Sequence, residues 1–495
     1  MKIRCAMTLK FNGLRPDASD AGPAINKMLT DLGLFAAVRE RRLFTPGELI
    51  GGLTTKIAND AQAESQMAAS LRQDDAVSSL MLQGQLSKDQ VDGLRDKGIS
   101  LRGDVPIAAA DLWTPYSPGG GIFGDRRRAL DLIGADQTAK AEAGEGVNVV
   151  ILDYGISHDW LRRYRPARGE KGGVAGGWAR YGREGGEGKQ WFNPGIPRAG
   201  TSDHAHMVAR NILSIAPAAT IWDVPLLPDT VLGPPGIAMA EAIFFHILRD
   251  LRDVLQDLRD GKQRRRGEVK PLPRGPWILV NAWGALDPAP YDAILPDCPY
   301  SDDPTHYFVE DMLKFSADGI DVVFAAGNCG SPGAHPLCGE TSVGPGQSIH
   351  GVNAHPSVLT VGAVRVDGTP IGSSAQGPGM LSRKWTKQLN DVPVWQRDDP
   401  RAKPDICAPS HFREAEDGNL LNTGTSAACG MAAGMLALLR GLEVKDGRWK
   451  EGGSPRTPEA MRALLRQSAG GQAWDPQMGW GVANLAKARQ ALGLK

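Results

Sequence analysis

The chain has 495 residues, 56 basic against 56 acidic side chains, 41% hydrophobic and 23% charged residues. That length allows one large α/β domain with an appended region, and the composition is that of a globular protein able to bury a sizeable core. Zero net charge gives no global attraction to nucleic acid or to an acidic membrane surface, and no run approaches the roughly 18 consecutive apolar residues of a membrane span. Neither partner is therefore expected.

Residues 1–105 read as a region of their own. Lys2 to Phe11 alternates in a strand-like way. Pro23 to Phe44, Thr45 to Ala58, Ala61 to Arg72 and Lys88 to Gly98 mix polar residues with Ala, Met and Leu at helical spacing, so the region is expected to be mainly helical. Met1 to Gly13 has no continuous apolar core, so a secretory signal is not expected and the cytoplasm is the expected compartment. Residues 106–124 read as a linker, rich in Pro and Gly from Trp113 onward, and 125–495 as the second domain.

In that second domain, apolar runs hydrophobic on both faces appear at Val147 to Leu152, Thr220 to Val224, Trp277 to Asn281, Asp321 to Ala326, Val358 to Val364 and Pro404 to Ala408. Helical patterns occupy Gly236 to Asp260, Thr305 to Ala317 and Ser426 to Leu442. The alternation predicts an α/β fold, a mostly parallel central sheet covered by helices, with ligands beyond the carboxyl ends of its strands. Two insertions interrupt it, Arg162 to Gly200 and Arg249 to Arg274. Each reads as a solvated loop or as a lid beside the cleft.

Three segments carry an acid, a base and a nucleophile in chain order: Ile151-Leu152-Asp153-Tyr154-Gly155, His204-Ala205-His206-Met207-Val208-Ala209 and Gly424-Thr425-Ser426-Ala427-Ala428. A serine hydroxyl needs a base within hydrogen-bond reach, and the base needs an anion to fix its tautomer. Taken singly, each residue also has an ordinary structural role. Ser426 reads as a helix cap, Asp153 as a turn residue and His204 as a helix residue. A fourth segment, Val323-Phe324-Ala325-Ala326-Gly327-Asn328, ends a strand in a turn that exposes an amide.

Together these segments resemble the subtilisin-like serine peptidases (subtilases), over roughly residues 125 to 490. Tyr154, Ala205, Met207 and Cys429-Gly430 depart from the usual motifs. The resemblance implies a three-layer fold and a serine endopeptidase in which Asp153, His204 and Ser426 are catalytic and Asn328 donates to the oxyanion. It implies that Ala282, Trp283 and Gly284 line the substrate channel, with Trp283 either narrowing a subsite or belonging to the core. His206 is assigned a structural role, and Asp159 is the second choice for the acid. A protein or peptide substrate is implied. The resemblance allows for calcium, although the sequence offers no clear ligand cluster, and it calls for no other cofactor or metal.

The alternatives are a catalytically silent scaffold on the same fold and an acyl transferase or esterase using the same machinery. Residues 1–105 read as an inhibitory pro-region or as a docking site for a regulatory protein. Cys329 and Cys338 flank a short loop beside Asn328, and a reducing compartment favours their free thiols over a disulfide.

Overall fold

The computed structural model describes residues 2–12, 34–37, 53–57, 64–74, 77–110, 124–135, 142–183, 189–197, 203–229, 234–259, 272–296, 298–380, 399–415, 420–449 and 456–493. The amino-terminal region corrects the helical expectation. It is an antiparallel sheet of β1 (Lys2–Asn12), β2 (Leu34–Ala37), β3 (Leu53–Ile57), β4 (Glu64–Asp74), β5 (Val77–Ser87) and β6 (Leu101–Gly103), in the order β2-β3-β4-β5-β1-β6. Among the described residues of this region the one helix is the last predicted, Lys88–Asp96, capped by a reciprocal pair of hydrogen bonds between Ser87 and Gln90. Ala, Met, Leu, Gln and Arg in β4 favour a helix locally, but pairing with β5 from Ala68↔Gln83 to Asp74↔Val77 overrides that preference. The parts of Pro23 to Phe44 and Thr45 to Ala58 that fall on residues 23–33 and 38–52 lie outside the described residues.

A short strand, β7 (Ile107–Ala109), leads into the second region. Its strands are β8 (Asn148–Asp153), the hairpin β9 (Arg180–Arg183) and β10 (Lys189–Phe192), β11 (Thr220–Pro225), β12 (Trp277–Asn281), β13 (Trp283–Ala285), β14 (Asp321–Ala325), β15 (Leu359–Val364) and β16 (Ile406–Pro409), followed by the small ribbon β17 (Phe412–Arg413) and β18 (Leu421–Asn422). Six of them form the parallel sheet β11-β8-β12-β14-β15-β16. All six were legible as apolar runs, within one or two residues at most ends.

Side chains on each strand alternate between two cores. Val149 and Ile151 of β8, Ile278 and Val280 of β12, and Val323 and Ala325 of β14 face the helices His204–Leu213, Gly424–Lys445, Pro458–Ser468 and Leu485–Leu492. Val150, Leu152, Leu279 and Phe324 face Ile237–Arg259 and Tyr307–Ala317. This is the three-layer arrangement expected of strands hydrophobic on both faces. The helix Gly424–Lys445 is long and apolar enough to cross a membrane, but 89% of its apolar window is buried inside this fold.

The insertion after Arg162 does not stand off in solvent where it is described. Ala175 N–H donates to Ile221 O and Asp223 N–H to Gly176 O, each at 2.9 Å, so it covers the edge of β11. Of Arg249 to Arg274, the first part continues the helix Ile237–Arg259, and 260–271 lie outside the described residues.

The helices His204–Leu213 and Gly424–Lys445 cross in near backbone contact. A β-carbon at Gly430 would lie 3.0 Å from Val208 O, and one at Gly434 would lie 2.9 Å from Ile212 O. Backbone cannot yield as a flexible side chain can, so Gly434→Ala is expected to destabilise the fold by about 1–3 kcal/mol through overpacking. Urea unfolding at equilibrium checks this; an unchanged midpoint would mean that the crossing is not tight.

Candidate active site

β8 delivers Asp153 to the carboxyl edge of the sheet, and the helix that starts at His204 presents the imidazole to it. His204 Nδ1 lies 2.8 Å from both Asp153 oxygens, and both residues are buried. Tyr154 N–H also donates to Asp153 Oδ1 at 2.7 Å. A carboxylate accepts, so Nδ1 carries the proton and Nε2 is left as the basic nitrogen of the ring.

His206 faces elsewhere. Its Nε2 accepts from Ser157 N–H at 3.1 Å, its Nδ1 meets Asp203 at 2.9 Å, and its ring stacks 4.2 Å from Trp160. This fits the structural role expected of it. Burial raises the Asp203 carboxyl, but hydrogen bonds from His206 and Arg210 outweigh that and hold it below its usual range. Asp159 forms an exposed pair with Arg162 at 3.3 Å and does not approach His204.

Gly424, at φ 61°, takes the backbone into the left-handed region where a side chain is disfavoured, and the helix begins there. Ser426 therefore lies in a first helical turn, whose free N–H groups favour negative charge. Its N–H donates to Ala110 O at 3.0 Å, and its hydroxyl donates to Ala282 O at 2.9 Å. The Ser426 hydroxyl is thus turned toward Ala282.

Asn328 follows β14. Its Oδ1 accepts from both the N–H and the hydroxyl of Thr425, each at 3.0 Å. These bonds fix which end of the amide faces Thr425, so the NH2 points the other way. Among the described residues Nδ2 is buried and without a partner. Buried donors are seldom left so, which marks Nδ2 as a group awaiting an acceptor. Thr425, which orients this amide, was not identified from the sequence; nothing marks it apart from the Ser motif itself.

The cleft beside these groups holds the chain's own residues. β7 pairs antiparallel with β13 through Ala109↔Trp283, Ala108↔Gly284 and Ile107↔Ala285, and Ala110 N–H donates to Ala282 O at 2.9 Å. The stretch expected as a linker is thus, over 106–110, an added strand on the segment expected to bind substrate; 111–123 lie outside the described residues. Ala282, Trp283 and Gly284 make these contacts through main-chain atoms. The Trp283 side chain is fully buried, edge-on to Phe324 at 5.2 Å and stacked on Phe308 at 6.5 Å, so of its two expected roles it takes the core one.

The expectation of free thiols at Cys329 and Cys338 is also corrected. The turn after Asn328 brings their Cα atoms to 5.7 Å, within the span of a disulfide, and the bond is closed. As for calcium, among the described residues no group of three or more His, Cys, Asp or Glu side chains is placed to hold a metal ion.

Asp223 on β11 is an acidic group that sequence patterning missed, because it sits inside an apolar run. It is fully buried, and its Oδ2 accepts Gly195 N–H at 2.9 Å, tying the insertion to the sheet. Burial, with a further push from the neighbouring Asp153 charge, raises its pKa to about 7. A carboxyl raised on folding stabilises the fold at low pH, and that contribution is lost as pH rises from about 4 through 7. Asp223→Asn stays neutral and can still accept from Gly195. Its stability relative to wild type should therefore rise between pH 5 and pH 8, by a few kcal/mol at most at about 1.4 kcal/mol per pKa unit. Paired urea titrations at the two pH values test this, and a constant difference would contradict it.

Comparison with known proteins gives three results. Residues 267–481 match the Peptidase_S8 model, the subtilase family. Among solved structures the chain is similar to a mutant of the protease domain of PatA, at 18% identity and a TM-score of 0.41, over 71% of this chain and 97% of that one. No curated protein matches the chain.

Proposed function

Given the match of residues 267–481 to the subtilase family model, we propose that this chain is a subtilisin-like serine hydrolase, an endopeptidase working through an acyl-enzyme on Ser426. The observation that carries the proposal is the peptide carbonyl of Ala110, held on the Ser426 N–H while its own N–H is held on Ala282 O. Extended main chain is thereby held beside the serine, the form in which a protease cleft binds its substrate.

On this reading Ser426 Oγ attacks the carbonyl carbon while His204 Nε2 takes its proton, and Asp153 steadies the resulting imidazolium. The oxyanion receives the Ser426 N–H and the unpartnered Asn328 Nδ2. As the carbon–nitrogen bond breaks, His204 returns the proton to the leaving amine. Water, deprotonated by the same imidazole, then releases the acid. The intended acceptor for Nδ2 is thus a charge that exists only in the transition state.

Residues 1–110 act on the same reading as an intramolecular inhibitor of the cleft. Their anchors support it. Asp104 Oδ1 accepts Ala238 N–H at 2.9 Å at the start of the helix Ile237–Arg259, while its Oδ2 pairs with Arg4 at 2.6 Å. Arg102 pairs with Glu241 of that helix at 2.7 Å. On this reading self-cleavage would fall after Ala110. A cytoplasmic setting is proposed on the sequence alone, and the Cys329–Cys338 bond weighs against it, because such bonds persist chiefly in oxidising compartments.

A fluorophosphonate probe should label the full-length protein at Ser426 once the cleft is vacated, and Ser426→Ala should abolish both labelling and the fragment ending at Ala110. A wild-type protein that neither labels nor cleaves any peptide would make it a silent scaffold. Asn328→Ala should lower kcat about 10²–10³-fold, the loss known for one oxyanion donor in subtilisin itself. Steady-state kinetics with an unchanged kcat would remove Asn328 from that role.

A further inference from the structure

We propose that Arg165 and Arg168, in the insertion that begins at Arg162, form a binding site for a phosphate dianion, either the free ion or a phosphate carried on a monoester. The site lies outside the catalytic groups and does not depend on the peptidase reading above. Five of the eleven residues from Arg162 to Gly172 are basic, against one acid. Arginines in such a run ordinarily face solvent. Here the fold turns two of them inward.

Arg165 closes the helix His158–Tyr164, its N–H donating to Leu161 O at 3.0 Å. Arg168 N–H in turn donates to Arg165 O at 3.1 Å. A β-carbon at Gly172 would lie 3.3 Å from Arg168 Cβ and 3.4 Å from Arg165 Cβ, so the two side chains leave the backbone beside a single point. Arg165 is 7% exposed and Arg168 half-buried. Arg165 Nη2 donates to Pro217 O at 2.6 Å, in the turn after the helix His204–Leu213.

The remaining donors are unspent. Among the described residues the Nε of each arginine is buried and without a partner. A buried guanidinium is ordinarily matched by a carboxylate. No carboxylate among the described residues offsets Arg165; the charge beside it is a second cation, Arg168. Burial first, and Arg168 second, lower the Arg165 pKa to about 10, so it stays charged at neutral pH.

A carboxylate would offset one of these two charges. A phosphate brings about two negative charges and oxygens enough for both guanidinium forks. There is room for it, because the turn breaks at Gly169 (φ 52°, ψ −135°), where a β-carbon would meet nothing within 4 Å. Arg163 and Lys171, both exposed, add positive charge on either side.

Isothermal titration calorimetry of the full-length protein with inorganic phosphate, at fixed ionic strength and about pH 8, where phosphate is a dianion, should show one saturable site. Arg168→Met and Arg165→Met should each weaken it at least about tenfold, the worth of one charge-assisted hydrogen bond. Should Arg165→Met not fold, Arg168→Met alone carries the test. Without phosphate, urea unfolding should find Arg168→Met at least as stable as wild type, because the change removes an unmatched charge. Phosphate should then raise the wild-type midpoint more than that of the variant. Phosphoserine separates the two sources: binding at least as tight as that of inorganic phosphate makes a carried phosphate the ligand, and weaker binding makes it the free ion. No saturable binding, acetate bound as tightly as phosphate, or equal phosphate binding by wild type and Arg168→Met overturns the proposal. So does a variant destabilised equally with and without phosphate, the mark of a purely structural arginine.

Discussion

Near-contact between the helices that begin at His204 and Gly424 constrains everything that reacts. At Gly430 and Gly434 there is no room for a β-carbon, so the two axes approach as closely as backbones allow. Asn211 Nδ2 adds a bond to Ala427 O at 3.2 Å, within the first turn that carries Ser426. Arg126 then ties Asn211, at 2.8 Å, to Glu414, at 2.6 Å, and Glu414 also receives Arg210 and Asn422. Burial alone would raise the Glu414 carboxyl, but these donors, Arg126 first, hold it below its usual range. A charged cluster thus braces the side of the crossing that the glycines leave open. The starts of both helices are fixed to one another, while Asp153 arrives independently on the sheet beneath them.

How much of this was legible follows from the range of the forces involved. Strands of the parallel sheet showed themselves because both faces are buried, which makes each a short continuous apolar run. Asp153 and Asn328 were legible because each ends such a run, and Ser426 and His204 because each opens a helix. Thr425, Asp223 and Asn353 were not, since each works through a partner far along the chain. Thr425 orients an amide that follows another strand, Asp223 ties down an insertion, and Asn353 bonds the carbonyls of both Trp283 and Ala325. A polar residue among apolar neighbours leaves its purpose unwritten until the fold supplies the other half.

The amino-terminal region failed for a different reason. β4 is built largely from good helix formers, Ala, Met, Leu, Gln and Arg among them, and little in its own residues opposes a helix. Only pairing across the sheet decides the matter, with β1 bonded along its whole length to β5. Lys88–Asp96 did come out as read, because its cap is encoded in the four residues that begin at Ser87. Ile107 to Ala110 was read as linker for a related reason. Three alanines in a row have no periodicity, and the strand they join lies far ahead in sequence.

A cleft that grips main chain cannot by itself tell its own strand from a substrate, so occupancy must be decided elsewhere. On the proposed reading, intramolecular attachment decides it here. Asp104 caps the helix that Glu241 belongs to, Ile237 N–H donates to Val105 O at 2.9 Å, and Ile107 N–H donates to Pro235 O at 2.9 Å. With 104, 105 and 107 fastened to the start of one helix, residues 108–110 can reach little but the cleft, and their effective concentration there is that of a short tether. Cutting after Ala110 leaves those fastenings untouched. Release therefore depends on the buried pairs at Asp104 and Arg102, which are costly to break singly because each would leave a charge behind. On the proposed reading, cleavage and activation are then separate events, and the sheet that precedes the cleft sets the interval between them.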